Sequence, residues 1–354
     1  MPYGTREIDL QPGINPFMKQ AMLWRPEGEG IALCELCPRH CRIQHRKTGF
    51  CGTRYSLDGK LWAINYGLVS SAHMDPYSKK PLYHFHPGKM VLSLGSYGCN
   101  MACKHCQNCE ISQQKIIQLH TEQEYYSPED ILKLCHMHKA DGASFTYNEP
   151  TIWMEYAVDC CKLLKEEAYY TSFVTNGYMS AEALEAIGPH LDAANVDVKG
   201  FKDETYKNLS SVDNWREVLA RCEEMTSDWG VHIEITTNVV PEYNDDDRTF
   251  RGIADWIVSE LGEKTPWHIT RYHPAHKMYS QPTPLETLLR AREIGRAAGL
   301  KFVYLGNTSD PEGDGTKCPG CGKTVIERMG FFTSEAKVKD GKCALCGYDL
   351  GIKE

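Results

Sequence analysis

The 354-residue sequence has no long apolar run and no excess of basic residues. No stretch approaches the roughly 18 to 20 consecutive apolar residues that a membrane helix needs. The first residues, MPYGTREIDLQPG, contain no apolar leader segment. With 39 basic against 47 acidic residues, the formal charge of -8 argues against a broad nucleic-acid-binding surface. These absences predict a cytoplasmic protein that neither enters a membrane nor binds nucleic acid generally.

Cysteine, in contrast, is abundant, with 16 residues. Because the cytosolic thiol pool keeps cysteines reduced, a disulfide framework is disfavoured and metal ligation becomes the leading explanation. Three groups of four stand out: Cys34, Cys37, Cys41 and Cys51; Cys99, Cys103, Cys106 and Cys109; Cys318, Cys321, Cys343 and Cys346. The other four, Cys135, Cys160, Cys161 and Cys222, are interpreted as small buried hydrophobic residues.

Between residues 90 and 305, β-rich runs alternate with helix-like stretches. The runs are MVLSLGS, GASFTYN, YTSFVTN, AANVDVKG, VHIEITTNVV, WHITRYH and KFVYLG. Ser127 and Asp130 have the spacing of a capping box, with Pro128 at the first helical position. Alternating strands and helices predict an α/β fold with a parallel sheet, closed or partly closed as a barrel. Active sites of such barrels lie at the carboxyl ends of the strands.

The sequence is therefore divided into three predicted domains. Residues 1–89 form a small cysteine-containing N-terminal unit, in which Asp58-Gly59 predicts a β-hairpin turn. Residues 90–307 form a partial (β/α)6-type, TIM-like barrel. The turn-rich stretch TSDPEGDGT marks the boundary to a zinc-ribbon-like or rubredoxin-like metal domain at residues 308–354.

The central cysteines follow the first predicted barrel strand directly. Cys99, Cys103 and Cys106 form a C-x3-C-x2-C array. A [4Fe-4S] cluster used only for electron transfer is held by four thiolates, whereas three ligands leave one iron open to a small molecule. A zinc loop is the alternative. Cys103, Cys106 and Cys109 also form a C-x2-C-x2-C run, so a shifted ligand set stays open on spacing alone.

Polar residues also follow several of the later predicted strands. The motifs are FTYNEP, VTNG, VDVKG and TRYHP, and the residues of interest are Asn148, Glu149, Thr175, Asn176, Asp197, Lys199 and His273. These residues supply carboxylates, a cation and hydrogen-bonding groups, which suit a polar ligand in one cavity.

Together, the array and these strand ends resemble the radical S-adenosylmethionine (SAM) superfamily, specifically relatives of pyruvate formate-lyase activating enzyme. The resemblance implies that Cys99, Cys103 and Cys106 hold a [4Fe-4S] cluster whose fourth iron is chelated by SAM. It places Asp197 and Lys199 near the SAM carboxylate and ribose. Asn148, Glu149, Thr175, Asn176 and His273 are then further SAM contacts. It further implies reductive cleavage of SAM to methionine and a 5'-deoxyadenosyl radical, which abstracts hydrogen from a substrate.

The flanking cysteine groups indicate further metal sites. CPGCG and CALCG supply Cys318, Cys321, Cys343 and Cys346, two knuckles that suit one tetrahedral ion, with zinc favoured and iron the alternative. Cys34, Cys37, Cys41 and Cys51 form a C-x2-C-x3-C-x9-C pattern that is compatible with zinc or with a second iron-sulfur cluster.

The N-terminal and C-terminal cysteine groups narrow the resemblance to the AmmeMemoRadiSam-system radical SAM enzymes. It implies an anaerobic reaction, a reductant such as ferredoxin or flavodoxin, and AmmeMemo partner proteins or a protein substrate. We expect an undefined hydrogen-abstraction substrate, with glycyl-radical enzyme activation as the alternative. A non-catalytic iron-sulfur and zinc interaction module and a nucleic-acid-binding zinc protein are disfavoured, because neither requires Asp197, Lys199 and His273 at strand ends.

Overall fold

The computed structural model describes residues 10–13, 15–118 and 124–354. The first nine residues, over which the sequence predicts no apolar leader, lie outside the described residues. Within the described ranges, every helix is too short or too polar to cross a membrane.

The strands of the described residues are short, and only the twelfth exceeds six residues. They are β1 (Lys19–Gln20), β2 (Trp24–Pro26), β3 (Ala32–Cys34), β4 (Arg42–Ile43), β5 (Arg54–Leu57), β6 (Lys60–Ala63), β7 (Ser71–Pro76), β8 (Met90–Gly95), β9 (Gly142–Phe145), β10 (Tyr170–Thr175), β11 (Ala193–Asp197), β12 (His232–Val239), β13 (Trp267–Arg271), β14 (Val303–Gly306), β15 (Thr316–Lys317), β16 (Thr324–Met329), β17 (Phe332–Ala336), β18 (Val338–Lys339) and β19 (Lys342–Cys343).

The α-helices of the described residues follow β8 and alternate with the later strands. They are α1 (Cys109–Ser112), α2 (Pro128–His138), α3 (Met154–Glu166), α4 (Ala181–Ile187), α5 (Asp203–Ser210), α6 (Arg216–Ser227), α7 (Asp247–Trp256) and α8 (Leu285–Ala298). Short 3-10 turns occupy Tyr77–Lys79, Ile116–Gln118, Pro150–Trp153 and Gly188–His190, and a π-helical turn, Ile257–Leu261, follows α7.

Eight strands form the principal sheet, in the order β14-β13-β12-β11-β10-β9-β8-β7. The β9 and β10 strands pair in parallel, with Ser144 opposite Ser172. The strands β11 to β14 also pair in parallel, each with the next along the chain. Each of the seven predicted runs contains one strand from β8 to β14. Because these pairs are parallel, the predicted α/β fold with a parallel sheet is confirmed.

Two compact units make up the chain. The first comprises Met1–His73, Leu92–Ala102 and Cys106–Leu191. Its β5 and β6 strands form the predicted hairpin, since Asp58 and Gly59 both adopt the left-handed backbone that a type I' turn requires, with φ of 49° and 72°. The predicted capping box at the start of α2 is also confirmed, with Ser127 and Asp130 exchanging side-chain and backbone hydrogen bonds.

A buried ion pair joins β5 to α3 within the first unit. Arg54 Nη1 donates to Glu155 Oε1 at 2.5 Å, and the two side chains are only 1% and 2% exposed. The backbone N–H of Met22 donates to the same oxygen at 2.7 Å. A buried charge pair is costly to form, but removal of one partner is costlier because it leaves the other charge uncompensated.

The second unit comprises Met74–Val91, Cys103–His105 and Asp192–Glu354. It contains β11 to β14 with α5 to α8, followed by the small strands β15 to β19. A hydrophobic cluster packs Phe302, just before β14, and Tyr304, within it, against Cys318 and Cys343. Near the start of β12, the buried carboxylate of Glu234 accepts from the backbone N–H of His84 at 2.7 Å and lies 2.7 Å from His268 Nε2.

We expect Arg54→Met to lower the free energy of unfolding by about 3 to 5 kcal/mol, because Glu155 would keep a buried charge without its counterion. Chemical denaturation monitored by circular dichroism measures the change. Lys133→Met is the control, since Lys133 forms an exposed pair with Asp130, and surface pairs contribute about 0 to 1 kcal/mol. Equal losses for the two variants would contradict the importance of the buried pair.

Candidate active site and metal centres

The central cysteine loop begins directly after β8. Cys99, Cys103 and Cys106 form no disulfide, and each is partly accessible to solvent. In the first unit, Cys99 Sγ accepts the backbone N–H of Met101 at 3.3 Å and lies 3.7 Å from Asn176 Nδ2. N–H groups directed at a sulfur stabilise its thiolate form, which is the form that binds metals.

An amide pair fixes the Asn176 side chain beside Cys99. Asn176 Nδ2 donates to Asn100 Oδ1 at 2.9 Å, and Asn100 Nδ2 donates to the Tyr178 carbonyl oxygen at 2.7 Å. The Tyr178 backbone N–H in turn donates to Asn176 Oδ1 at 2.9 Å. Asn176 was predicted from its position at a strand end. Asn100 was missed, because an asparagine next to a cysteine matches no sequence pattern. The only signal for Asn100 was its position on the cysteine loop.

Asn148 holds the backbone of the segment that leads into Cys99. Its Oδ1 accepts the N–H of Ser96 at 3.0 Å, and its Nδ2 donates to the Gly98 carbonyl oxygen at 3.0 Å. The structure therefore uses both polar atoms of this predicted cofactor-binding residue to position the loop. Cys106, at the far end of the loop, lies 3.1 Å from Ser112 Oγ on α1.

Glu149 connects the end of β9 to the end of β10. Its Oε1 accepts from the Thr151 N–H at 2.9 Å and from the Thr175 hydroxyl at 2.7 Å, and its Oε2 accepts from the Asn176 N–H at 2.7 Å. Burial raises the pKa of this carboxyl group, although the surrounding donors oppose that rise. Thus Glu149 and Thr175, both predicted to contact a cofactor, bind each other in this structure.

In the second unit, Cys103 lies near the predicted carboxylate and cation. Its Sγ is 3.3 Å from Ser210 Oγ at the end of α5. Lys199 Nζ donates to Asp197 Oδ2 at 2.8 Å, and its backbone N–H donates to the Tyr206 hydroxyl at 3.0 Å. Burial disfavours the charged ammonium, but Asp197 and the Cys103 thiolate together raise the pKa of Lys199 above its ordinary value.

His273 lies on the segment that follows β13. Its Nε2 is 3.3 Å from the carbonyl oxygen of Asn307. The ring of His273 thus contacts Asn307, whereas Lys199 pairs with Asp197.

The C-terminal cysteines form a compact site. The Sγ atoms of Cys318, Cys321, Cys343 and Cys346 all lie within 4.8 Å of one another. Tetrahedral zinc with bonds of about 2.3 Å separates its sulfur ligands by about 3.8 Å. The observed distances of 3.6 Å between Cys318 and Cys346, and 3.9 Å between Cys321 and Cys343, match that value. These four residues could thus bind one metal ion.

Backbone geometry of the two knuckles prepares the sulfurs for a metal. Gly322 and Gly347 adopt left-handed backbone and close tight turns onto the carbonyl oxygens of Cys318 and Cys343, both at 2.8 Å. Burial opposes ionisation of Cys343, but the N–H groups of Leu345 and Cys346 point at its sulfur and help lower its pKa, whereas the neighbouring thiols help raise the pKa of Cys346.

Comparison with known proteins identifies the class. The Radical SAM superfamily description matches residues 94–252. The uncharacterized protein MJ0808 of Methanocaldococcus jannaschii is 37% identical, over 95% of this chain and 99% of that protein. The pyruvate formate-lyase-activating enzyme of Clostridium pasteurianum is 25% identical, over 48% of this chain and 72% of that protein. A radical SAM methyltransferase from Sphaerobacter thermophilus aligns with a TM-score of 0.49 at 14% identity, over 62% of this chain and 67% of that one.

This chain belongs to the radical SAM superfamily. It is a radical SAM enzyme, and membership implies a [4Fe-4S] cluster and SAM as cofactors. The donor set fits that cluster: the loop carries three cysteines that form no disulfide, and Cys99 receives N–H donors.

We expect Glu149→Gln to lower the free energy of unfolding by about 1 to 3 kcal/mol. The NH2 group of glutamine would replace one carboxylate oxygen, so a buried N–H group would lose its acceptor and face another donor. Thermal and urea denaturation measure the loss. Glu167→Gln, at an exposed position, is the matched control and should change stability by less than about 0.5 kcal/mol. An unchanged Glu149→Gln protein would show that the carboxylate does not hold these strand ends.

For the C-terminal site, we expect Cys343→Ser to release about one metal ion per chain, since a hydroxyl is a poor substitute for a thiolate ligand. Metal analysis by mass spectrometry after desalting measures the release. Cys222→Ser, which changes a buried helical cysteine, should retain the ion. Loss of all the iron in Cys343→Ser would contradict independent metal sites.

Proposed function

We propose that this enzyme binds its [4Fe-4S] cluster through Cys99, Cys103 and Cys106, binds SAM at the fourth iron, and abstracts hydrogen from a small molecule or side chain. When bound and reduced, the cluster supplies the electron that cleaves the sulfonium carbon-sulfur bond of SAM. The observation that carries the proposal is the C-x3-C-x2-C loop, whose cysteines form no disulfide and lie within the residues that match the superfamily. Cys109, which begins α1, is left out of the ligand set.

Residues of the chain itself supply orientation. The Met101 N–H and Asn176 Nδ2 stabilise the Cys99 thiolate, while Asn148 fixes the approach of the backbone. Lys199 is a cation with only 11% of its side chain exposed, and it suits the carboxylate of SAM. Asp197 is 37% exposed and retains acceptor capacity for ribose hydroxyls.

Zinc is the proposed ion at the C-terminal cysteines. Support comes from the mononuclear spacing of the sulfurs and from their packing against β14, which suits a structural site. A low-potential reductant such as ferredoxin or flavodoxin is the proposed electron donor.

A second candidate is a glycyl-radical enzyme activase. It is supported by the 25% identity with a pyruvate formate-lyase-activating enzyme. We prefer the first candidate, because two of the three cysteine groups lie outside residues 94–252, the range that the superfamily match covers. Electron paramagnetic resonance of a radical transferred to a protein partner would favour the activase.

We expect the anaerobically reconstituted enzyme to produce 5'-deoxyadenosine from SAM with dithionite, and liquid chromatography with mass spectrometry measures it. Cys99→Ala, Cys103→Ala and Cys106→Ala should each abolish production, because a cluster with two protein thiolates on this loop is not retained in a reactive geometry. Cys109→Ala is the matched thiol control and should keep most of the activity.

Two results would reject this assignment. Sustained turnover in any of the first three variants would exclude that cysteine as a ligand. Abolished turnover in Cys109→Ala together with activity in Cys99→Ala would indicate the shifted ligand set.

A further inference from the structure

The N-terminal cysteines are gathered by a small antiparallel sheet in the first unit. Cys34 ends β3, which pairs with β4, and its backbone N–H donates to the Cys41 carbonyl oxygen at 3.0 Å. This pairing closes the loop that carries Cys37. Cys51 lies shortly before β5, with its Sγ 3.2 Å from Thr53 Oγ1. All four cysteines are free thiols.

Backbone turns bring the loop of Cys41 beside the loop of Cys51. A Cβ atom on Gly49 would lie 3.7 Å from the Cys41 Sγ, and the N–H of Gly52, which follows Cys51, donates to the Gly49 carbonyl oxygen at 3.0 Å. The N–H of His40 donates to the Cys37 carbonyl oxygen at 3.2 Å and closes the turn between Cys37 and Cys41. Backbone contacts therefore gather the four cysteines in one region of the first unit.

The spacing of these sulfurs differs from that at the C-terminal site. Among the described residues, the C-terminal cysteines are the group whose ligand atoms all lie within 4.8 Å, and no three of the N-terminal sulfurs meet that limit. A single tetrahedral ion needs sulfurs about 3.8 Å apart. A cubane cluster places irons and sulfides between its thiolates and so holds them farther apart. The N-terminal group therefore fits a cluster better than one zinc ion.

This group also contacts the residues on either side of Cys99. A Cβ atom on Gly98 would lie only 2.4 Å from the Cys51 carbonyl oxygen, so the two backbones are in direct contact. Arg39, between Cys37 and Cys41 in sequence, donates from Nε to the Asn100 carbonyl oxygen at 2.5 Å. Cys51 and Arg39 thus contact Gly98 and Asn100, the residues on either side of Cys99.

We propose that Cys34, Cys37, Cys41 and Cys51 hold a second [4Fe-4S] cluster that transfers single electrons to the centre at Cys99. The identity of that acceptor rests on the proposed function above. Four protein thiolates leave no iron open to a substrate, so the chemistry is electron transfer. The Arg39 guanidinium, 3.6 Å from the centroid of the Phe50 ring, adds a positive charge near the cluster, which favours the more negative reduced state.

The electron balance is simple. A low-potential flavin or iron-sulfur donor protein is oxidised by one electron, and the N-terminal cluster passes from the 2+ to the 1+ state. Delivery of that electron to the acceptor returns the cluster to 2+, with no bond formed or broken in the chain.

Acid-labile sulfide in the anaerobically reconstituted full chain tests the proposal, since a mononuclear ion at the C-terminal cysteines carries no sulfide. The wild-type chain should hold about eight sulfides, and the combined Cys99→Ala, Cys103→Ala, Cys106→Ala variant about four. Cys109→Ala, the matched control, should match wild type. After reduction of the triple variant, its electron paramagnetic resonance signal should not change on addition of SAM.

A reciprocal variant separates this inference from the proposed function. Cys34→Ser with Cys51→Ser should lose about four sulfides and still form 5'-deoxyadenosine with dithionite, while flavodoxin-driven formation falls at least about tenfold. If that variant does not fold, the sulfide content of the triple variant decides alone. A triple variant without sulfide, or with a second zinc ion, overturns the inference. A wild-type enzyme that carries eight sulfides but does not cleave SAM overturns the proposed function instead.

Discussion

The position of Cys99 depends on satisfying the backbone of a segment that belongs to neither strand nor helix. Between β8 and α1 the chain has no regular ladder, so its buried N–H and C=O groups need other partners. The Asn148 side chain accepts the Ser96 N–H and donates to the Gly98 carbonyl oxygen. The Gly98 N–H donates to the Ile111 carbonyl oxygen at 2.9 Å. Glu149, next in sequence, ties the same strand end to Thr175 and Asn176. Two adjacent side chains thereby link the cysteine loop to β9 and β10.

Much of the fold could be predicted from the sequence. Runs of β-branched and aromatic residues predict β8 to β14, because such residues suit a buried parallel sheet. The α5 helix was missed, since its buried face consists of Thr205, Tyr206, Leu209 and Ser210, and a single aliphatic residue gives too little helical periodicity. The hairpin turn at Asp58-Gly59 was predictable because its chemistry is local.

The candidate site was predictable only in its residue types. Motif order picked out Asn148 and Glu149, but the sequence could not show that their polar atoms bind the chain itself. Such bonds join residues that are distant in sequence, and no local spacing encodes them. The same limit applies to the metal sites. Two groups of four cysteines look alike in a printed sequence, and only the structure shows that the sulfurs of the C-terminal group all lie within 4.8 Å of one another.

The C-terminal knuckles couple ligand geometry to folding. Cys318 and Cys321 precede the β16–β17 hairpin, whereas Cys343 and Cys346 follow it. The two pairs of sulfurs come within reach of one ion only when the hairpin has formed. An ion bound there would therefore clasp the two ends of the hairpin, and its loss would free them to separate.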